Sequence, residues 1–185
     1  MSAGRKPAAP TSEDVLRVEH MDDAALHRED REDGAVCYYL FPGGPLHRDD
    51  GPAFRMTSPD GAYVEQWRHH GMLDRDDGPA DILHFPDAGF KCYYRNGKRH
   101  RDGGAAYIET FPGERLEQYR RDGKLHRDDG PAVIATSDTG YFLEKYYRAG
   151  RLHRTDGPAI IETEADGTRH EQYYRHGKLT KAKPA

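Results

Sequence analysis

The chain has 185 residues, 32% of them charged and 35% hydrophobic, with a net charge of −4 from 28 basic and 32 acidic side chains. That polarity leaves little material for a thick core, yet 12 Tyr and 6 Phe argue against a disordered chain, so a thin ordered fold is expected. The near balance of charge disfavours nucleic acid and membrane surfaces as partners. No apolar run approaches the ~18–20 residues that span a bilayer.

Residues 1–12 read as a flexible tail, and Met1 to Pro10 lacks the apolar stretch of a secretion signal. Two cysteines fit a reducing compartment, so a cytoplasmic location is expected. Residues 13–44 read as a degenerate capping repeat that covers the first edge of the fold. Val15, Leu16 and Val18 suit either a short strand or a helical turn after Ser12, and Leu26-His27-Arg28-Glu29-Asp30 is an imperfect first copy of a motif that recurs along the chain.

Five tandem units then fill residues 45–177, as 45–71, 72–97, 98–123, 124–150 and 151–177. Each carries a version of Leu-His-Arg-Asp-Asp-Gly-Pro-Ala, complete at Leu46–Ala53 and Leu125–Ala132. The His position runs His47, Asp74, His100, His126, His153, at spacings of 27, 26, 26 and 27 residues. A β-like run follows each Ala, as in Val133-Ile134-Ala135-Thr136, and then a turn such as Ser58-Pro59-Asp60-Gly61. A second β-like run carries an aromatic at Trp67, Tyr93, Tyr119, Tyr146 and Tyr173. A two-residue turn closes each unit, and Asn96-Gly97 is the clearest type I′ signal.

Two strands per unit at ~4.8 Å set equivalent residues ~10 Å apart. The expected fold is therefore all-β: tandem hairpin repeats of 26–27 residues in an elongated, twisted, single-layer antiparallel meander. The row Arg55, Ile82, Ile108, Ile134, Ile161 is the expected inward one. Cys37 and Cys92, about two repeats apart, are too distant for a disulfide. Residues 178–185 read as a basic, frayed tail.

The run Tyr93-Tyr94-Arg95-Asn96-Gly97-Lys98, followed by the His-Arg-Asp loop, resembles the MORN-variant repeats of bacteria and viruses. The likeness covers about residues 34–179. The unit here is longer than usual, and the His-Arg-Asp-Asp-Gly-Pro loop is not in the common motif. The resemblance implies β-hairpin repeats and binding or scaffolding work, and some bacterial members are labelled antitoxins.

Several constellations have both a chemical and a structural reading. His-Arg-Asp at His47, His100 and His126 matches the start of a kinase catalytic loop, but the following Asn, the Gly-rich loop and Asp-Phe-Gly are missing from the sequence. His47, Asp49 and Asp50 offer at most three ligands, and successive His residues stand ~10 Å apart, so no metal site and no cofactor are expected. Asp50, Asp77, Asp129 and Asp156 suit turns into Gly. Gly51, Gly78, Gly130 and Gly157 suit positive φ. The invariant Arg48, Arg75, Arg101, Arg127 and Arg154 suit a ladder of carboxylate pairs between loops or a ligand-facing row. Arg68, Arg95, Arg120, Arg148 and Arg175 suit stems covering the aromatic rings.

No catalytic motif is found, so the chain is read as a non-catalytic scaffold that binds another macromolecule, a protein. The expected contact residues are His47, Arg48, Trp67, His100, Arg101, His126, Arg127, His153 and Arg154. Three other readings compete: an antitoxin, immunity or inhibitor protein against a basic or nucleic-acid enzyme, a small-ligand or glycan binder, and a homo-oligomer built through sheet edges.

Overall fold

A computed structural model describes residues 26–182. It is all-β, and its main body is one open sheet of 13 antiparallel strands hydrogen-bonded in chain order. The strands His27–Asp30 and Val36–Tyr39 open it. Five long hairpins follow, beginning with Phe54–Thr57 and Tyr63–Gln66 and ending with Ile160–Thr163 and Arg169–Arg175. Lys178–Ala182 forms the last strand.

The first four units also carry a short hairpin beside the sheet. There the second long strand breaks at the aromatic residue and resumes for two residues, as in Tyr94–Arg95 paired with Lys98–Arg99. All five turns that close the units have positive φ at both central residues, from His70-Gly71 (48° and 80°) to His176-Gly177 (51° and 84°). That is the type I′ geometry, whose twist matches the flanking strands. The short hairpins stack: the amide of Gly97 donates to the Leu73 carbonyl, and Gly123 to Arg99, each at 2.8–2.9 Å.

The sheet is a single layer. A sandwich would bury alternate side chains, whereas Tyr63–Gln66 and Phe142–Lys145 are half-buried at every position. Full burial falls instead on small residues: Ala53, Ala80, Ala106, Ala132 and Ala159 are all 0% exposed. Each lies where the aromatic breaks the strand. The Ala80 carbonyl accepts the Trp67 amide and its own amide donates to Cys92, so three segments meet on one methyl group.

In the Ile row, Ile82 and Ile161 are buried, while Ile108 and Ile134 are half-buried and Arg55 is exposed. Cross-strand neighbours of Ile82 are Glu65, whose carboxylate faces Arg55 at 3.5 Å, and the exposed Lys91. The opposite face carries Val64, Leu83, Phe90, Leu116 and Leu143. Cys37 and Cys92 are buried free thiols, and burial pushes Cys92 up to about 11.

Two differences from the sequence reading concern the ends. Lys178–Ala182 is not a frayed tail: the His176-Gly177 turn sends it back along Arg169–Arg175, with a bulge between Tyr173 and Tyr174. In the capping segment, His27–Asp30 is a strand paired with Val36–Tyr39. Val15, Leu16 and Val18 lie outside the described residues, as do residues 1–12 and 183–185. Among the described residues no helix is long and apolar enough to cross a membrane.

Candidate functional site: the inter-repeat junctions

The loop between short hairpin and next long strand is built around its arginine. The guanidinium carbon of Arg75 sits 3.6 Å from the centroid of the Trp67 ring. Arg101, Arg127 and Arg154 lie 3.8–3.9 Å over Tyr93, Tyr119 and Tyr146, and Arg48 lies 4.3 Å over Tyr38. Nε then donates to the Asp two residues on: Asp50 at 2.6 Å, Asp77 at 2.7 Å, Asp129 and Asp156 at 3.1 Å. These arginine bonds hold Asp50 and Asp77 below the usual carboxylate range. Nη1 of Arg75, Arg127 and Arg154 reaches the carbonyl of Pro79, Pro131 and Pro158 at 3.3–3.4 Å. In the third unit Gly103 stands in place of that Asp, and Arg101 keeps its ring and the Ala105 carbonyl at 3.3 Å.

Three expectations change here. The pairs form within a loop, not as a ladder between loops. The rings are covered by the loop arginines, not by the arginines of the aromatic strands. The glycine of each loop makes room for the arginine rather than supplying a special backbone angle. None of Gly51, Gly78, Gly104, Gly130 and Gly157 has positive φ, but a Cβ on them would stand 2.6–3.2 Å from the arginine Cζ.

The histidine column joins each loop to the tight turn that follows it. Nδ1 of His47, His126 and His153 accepts the backbone N–H of His70, Ala149 and His176 at 3.1–3.2 Å. Those donors are the first positive-φ residues of the following short hairpin. Asp74, the exception in the column, does the same with Oδ1 toward Asn96 N at 2.9 Å. His100 Nδ1 lies 3.2 Å from Asp122 N and 3.0 Å from the Asp122 carboxylate. On the other edge of the ring, Nε2 faces a carboxylate: Asp102 at 3.2 Å for His100 and Asp128 at 3.1 Å for His126. Arg95 and Arg121 reach the same two carboxylates at 3.0 and 3.2 Å. His153 has no such Asp, since Thr155 stands there. Burial, then His176, Arg148 and Arg175, hold its pKa below the ordinary histidine value.

The residues expected at a contact surface are thus brought together, but facing inward. His47 and His100 are buried, and His126 and His153 are half-buried. Arg48, Arg101, Arg127 and Arg154 each lie on a ring, and Trp67 lies under Arg75 with its indole N–H buried and without a hydrogen-bond partner among the described residues. What faces solvent is the carboxylates, with Asp77 81% and Asp129 83% exposed. Sequence reasoning missed His69 and His70, which the first junction places against His47 at ring separations of 4.8 Å. The signal was available, because His69 interrupts a column that is otherwise Arg95, Arg121, Arg148 and Arg175.

No protein-family model matches the chain, and the search of curated proteins returns no match.

Proposed function

We propose that the chain is a non-catalytic repeat scaffold that binds another macromolecule, a protein, along its open sheet. The observation that supports this reading is a single-layer sheet of 13 strands in which, among the described residues, neither face is buried by a second layer. One face carries the apolar series Val64, Leu83, Phe90, Leu116 and Leu143, all half-buried, at the spacing of the repeats. The loop row, from His47 and Arg48 to His153 and Arg154, forms the rim of this surface and holds its shape. Outward charges on the rim alternate in sign, with Arg95 beside Asp102 and Arg121 beside Asp128. A rim of that kind favours no strongly basic or acidic partner, so the reading as an inhibitor of a basic enzyme gains nothing from it.

The test is affinity capture from cells that make the chain, wild type beside a Leu83→Ser, Leu116→Ser variant whose far-UV circular dichroism is unchanged. One protein retained by wild type, re-bound by it when purified, and lost by the folded variant supports the reading. A purified partner that binds both equally removes the sheet face from the interface. No protein partner at all rejects the reading.

A further inference from the structure

We infer that the first inter-repeat junction is a transition-metal site, with Asp49, His69 and His70 as ligands and His47 as the residue that positions them. His69 ends a strand and His70 follows with φ of 48°. That left-handed step turns both rings to one side, where an extended pair would point to opposite faces. Their centroids are 4.3 Å apart. One nitrogen from each of His47, His69 and His70 falls within 4.8 Å of the others. Asp49 stands against two of the three rings, with Oδ1 3.2 Å from His69 Nε2 and 3.5 Å from His47 Nε2. Bonds of ~2.0–2.1 Å in a tetrahedron put neighbouring ligand atoms ~3.3 Å apart. His69 and Asp49 are 49% and 51% exposed, so both can move the last fraction of an ångström toward an ion. Imidazoles with a carboxylate suit Zn²⁺, Co²⁺, Ni²⁺ or Cu²⁺ rather than Mg²⁺ or Ca²⁺.

His47 has a different part. Its Nδ1 accepts the His70 amide, so the proton of the neutral ring sits on Nε2, toward Asp49. It therefore faces the carboxylate with its N–H, 3.5 Å from Asp49 Oδ1, the place of an outer-layer group that orients a metal ligand.

The other junctions show what is special here. Arg148 reaches back to Asp128 at 3.5 Å, and Arg175 to the Thr155 carbonyl at 2.7 Å, in the place that His69 holds toward Asp49. The column normally supplies its own cation beside the loop. At the first junction an imidazole replaces that guanidinium, and His70 stands beside it; the last junction has the equivalent imidazole, His176, but keeps its guanidinium, Arg175, so the first alone has both. The adjoining cleft, about 590 Å³, carries five carboxylates and two arginines; Arg48 and Arg75 pair with Asp50 and Asp77, which leaves Asp49, Asp74 and Asp76 as the further negative charge facing His69.

The full chain, stripped with chelator, is titrated with Zn²⁺ by calorimetry and with Co²⁺ by visible absorption. The expected result is one saturable site per chain with the ligand-field bands of Co²⁺ on nitrogen and oxygen donors. His69→Arg and His70→Asn weaken binding at least ~10-fold, and both residues already occur at those positions in other repeats, so the fold tolerates them. His176→Asn, at the last junction, leaves binding unchanged. No saturable binding by wild type, or equal binding by the folded His69→Arg and His70→Asn variants, overturns the proposal.

Discussion

At the scale of single residues, the repeat works by assigning one bond to each side chain. The loop arginine stacks on an aromatic ring and pairs with an Asp two residues on, which fixes both ends of a planar group that would otherwise wander. Ala149 is the least comfortable of these residues. It holds φ of 49° where the other repeats have His70, Asn96, Asp122 and His176, and an Ala there lacks the local hydrogen bonding that helps Asn or Asp tolerate the left-handed region. Ala149→Gly relieves that strain and is expected to raise stability by about 1 kcal/mol, read as a higher urea midpoint with unchanged slope. A midpoint that falls would show that the backbone there is not strained.

At the scale of elements, successive short hairpins are held to each other by the histidine column. His126 accepts the Ala149 amide through Nδ1 and faces Asp128 through Nε2, so one ring links two hairpins. His126→Ala leaves that exposed amide to water and is expected to cost ~0.5–1.5 kcal/mol. His126→Asp is expected to recover part of the loss, because Asp74 does the same task toward Asn96 at 2.9 Å. Equal stability of the two variants in chemical denaturation would reject the acceptor role. The same link makes the fold acid-sensitive. The pKa of His153 is lowered, first by burial and then by His176, Arg148 and Arg175. The folded state therefore binds fewer protons than the unfolded one, so its contribution is complete above the ordinary histidine value of about 6.5 and is lost as pH falls through the depressed value. Stability should decline between pH 8 and 5.5, less steeply in His153→Asn. Identical pH slopes for the two proteins would count against this.

At the scale of the whole molecule, the sheet is nearly one-dimensional, since each unit touches only its neighbours through matched loops and hairpins. Excision of residues 124–150 removes one complete unit and brings Gly123 to Arg151, restoring the junction that Gly150 makes with Arg151. The shortened chain should keep its far-UV spectrum and unfold with a smaller urea slope, because less surface is exposed. Loss of cooperative unfolding would mean that stability is not a sum over neighbours.

The sequence by itself determined the repeat, its period, the strand–turn–strand order and the Asn96-Gly97 type of turn, because these depend on local backbone preference and on comparison of one unit with the next. It also placed the aromatic column and kept Cys37 and Cys92 apart. It did not show which way the loop side chains point. Arg127 folding onto Tyr119, the glycine at 130 leaving room for it, and His126 reaching the Ala149 amide all join residues from different segments, whose approach is set by the stacking of hairpins. The strand at Lys178–Ala182 was hidden for a similar reason. A basic run with little apolar content has no signal of its own, and it becomes a strand because the preceding turn delivers it to an open sheet edge. The meeting of His47 and Asp49 with His69 and His70 belongs with these. The two pairs lie about 20 positions apart in the chain, and only the stacking of one hairpin on the loop before it brings His47 against both rings and Asp49 against His69.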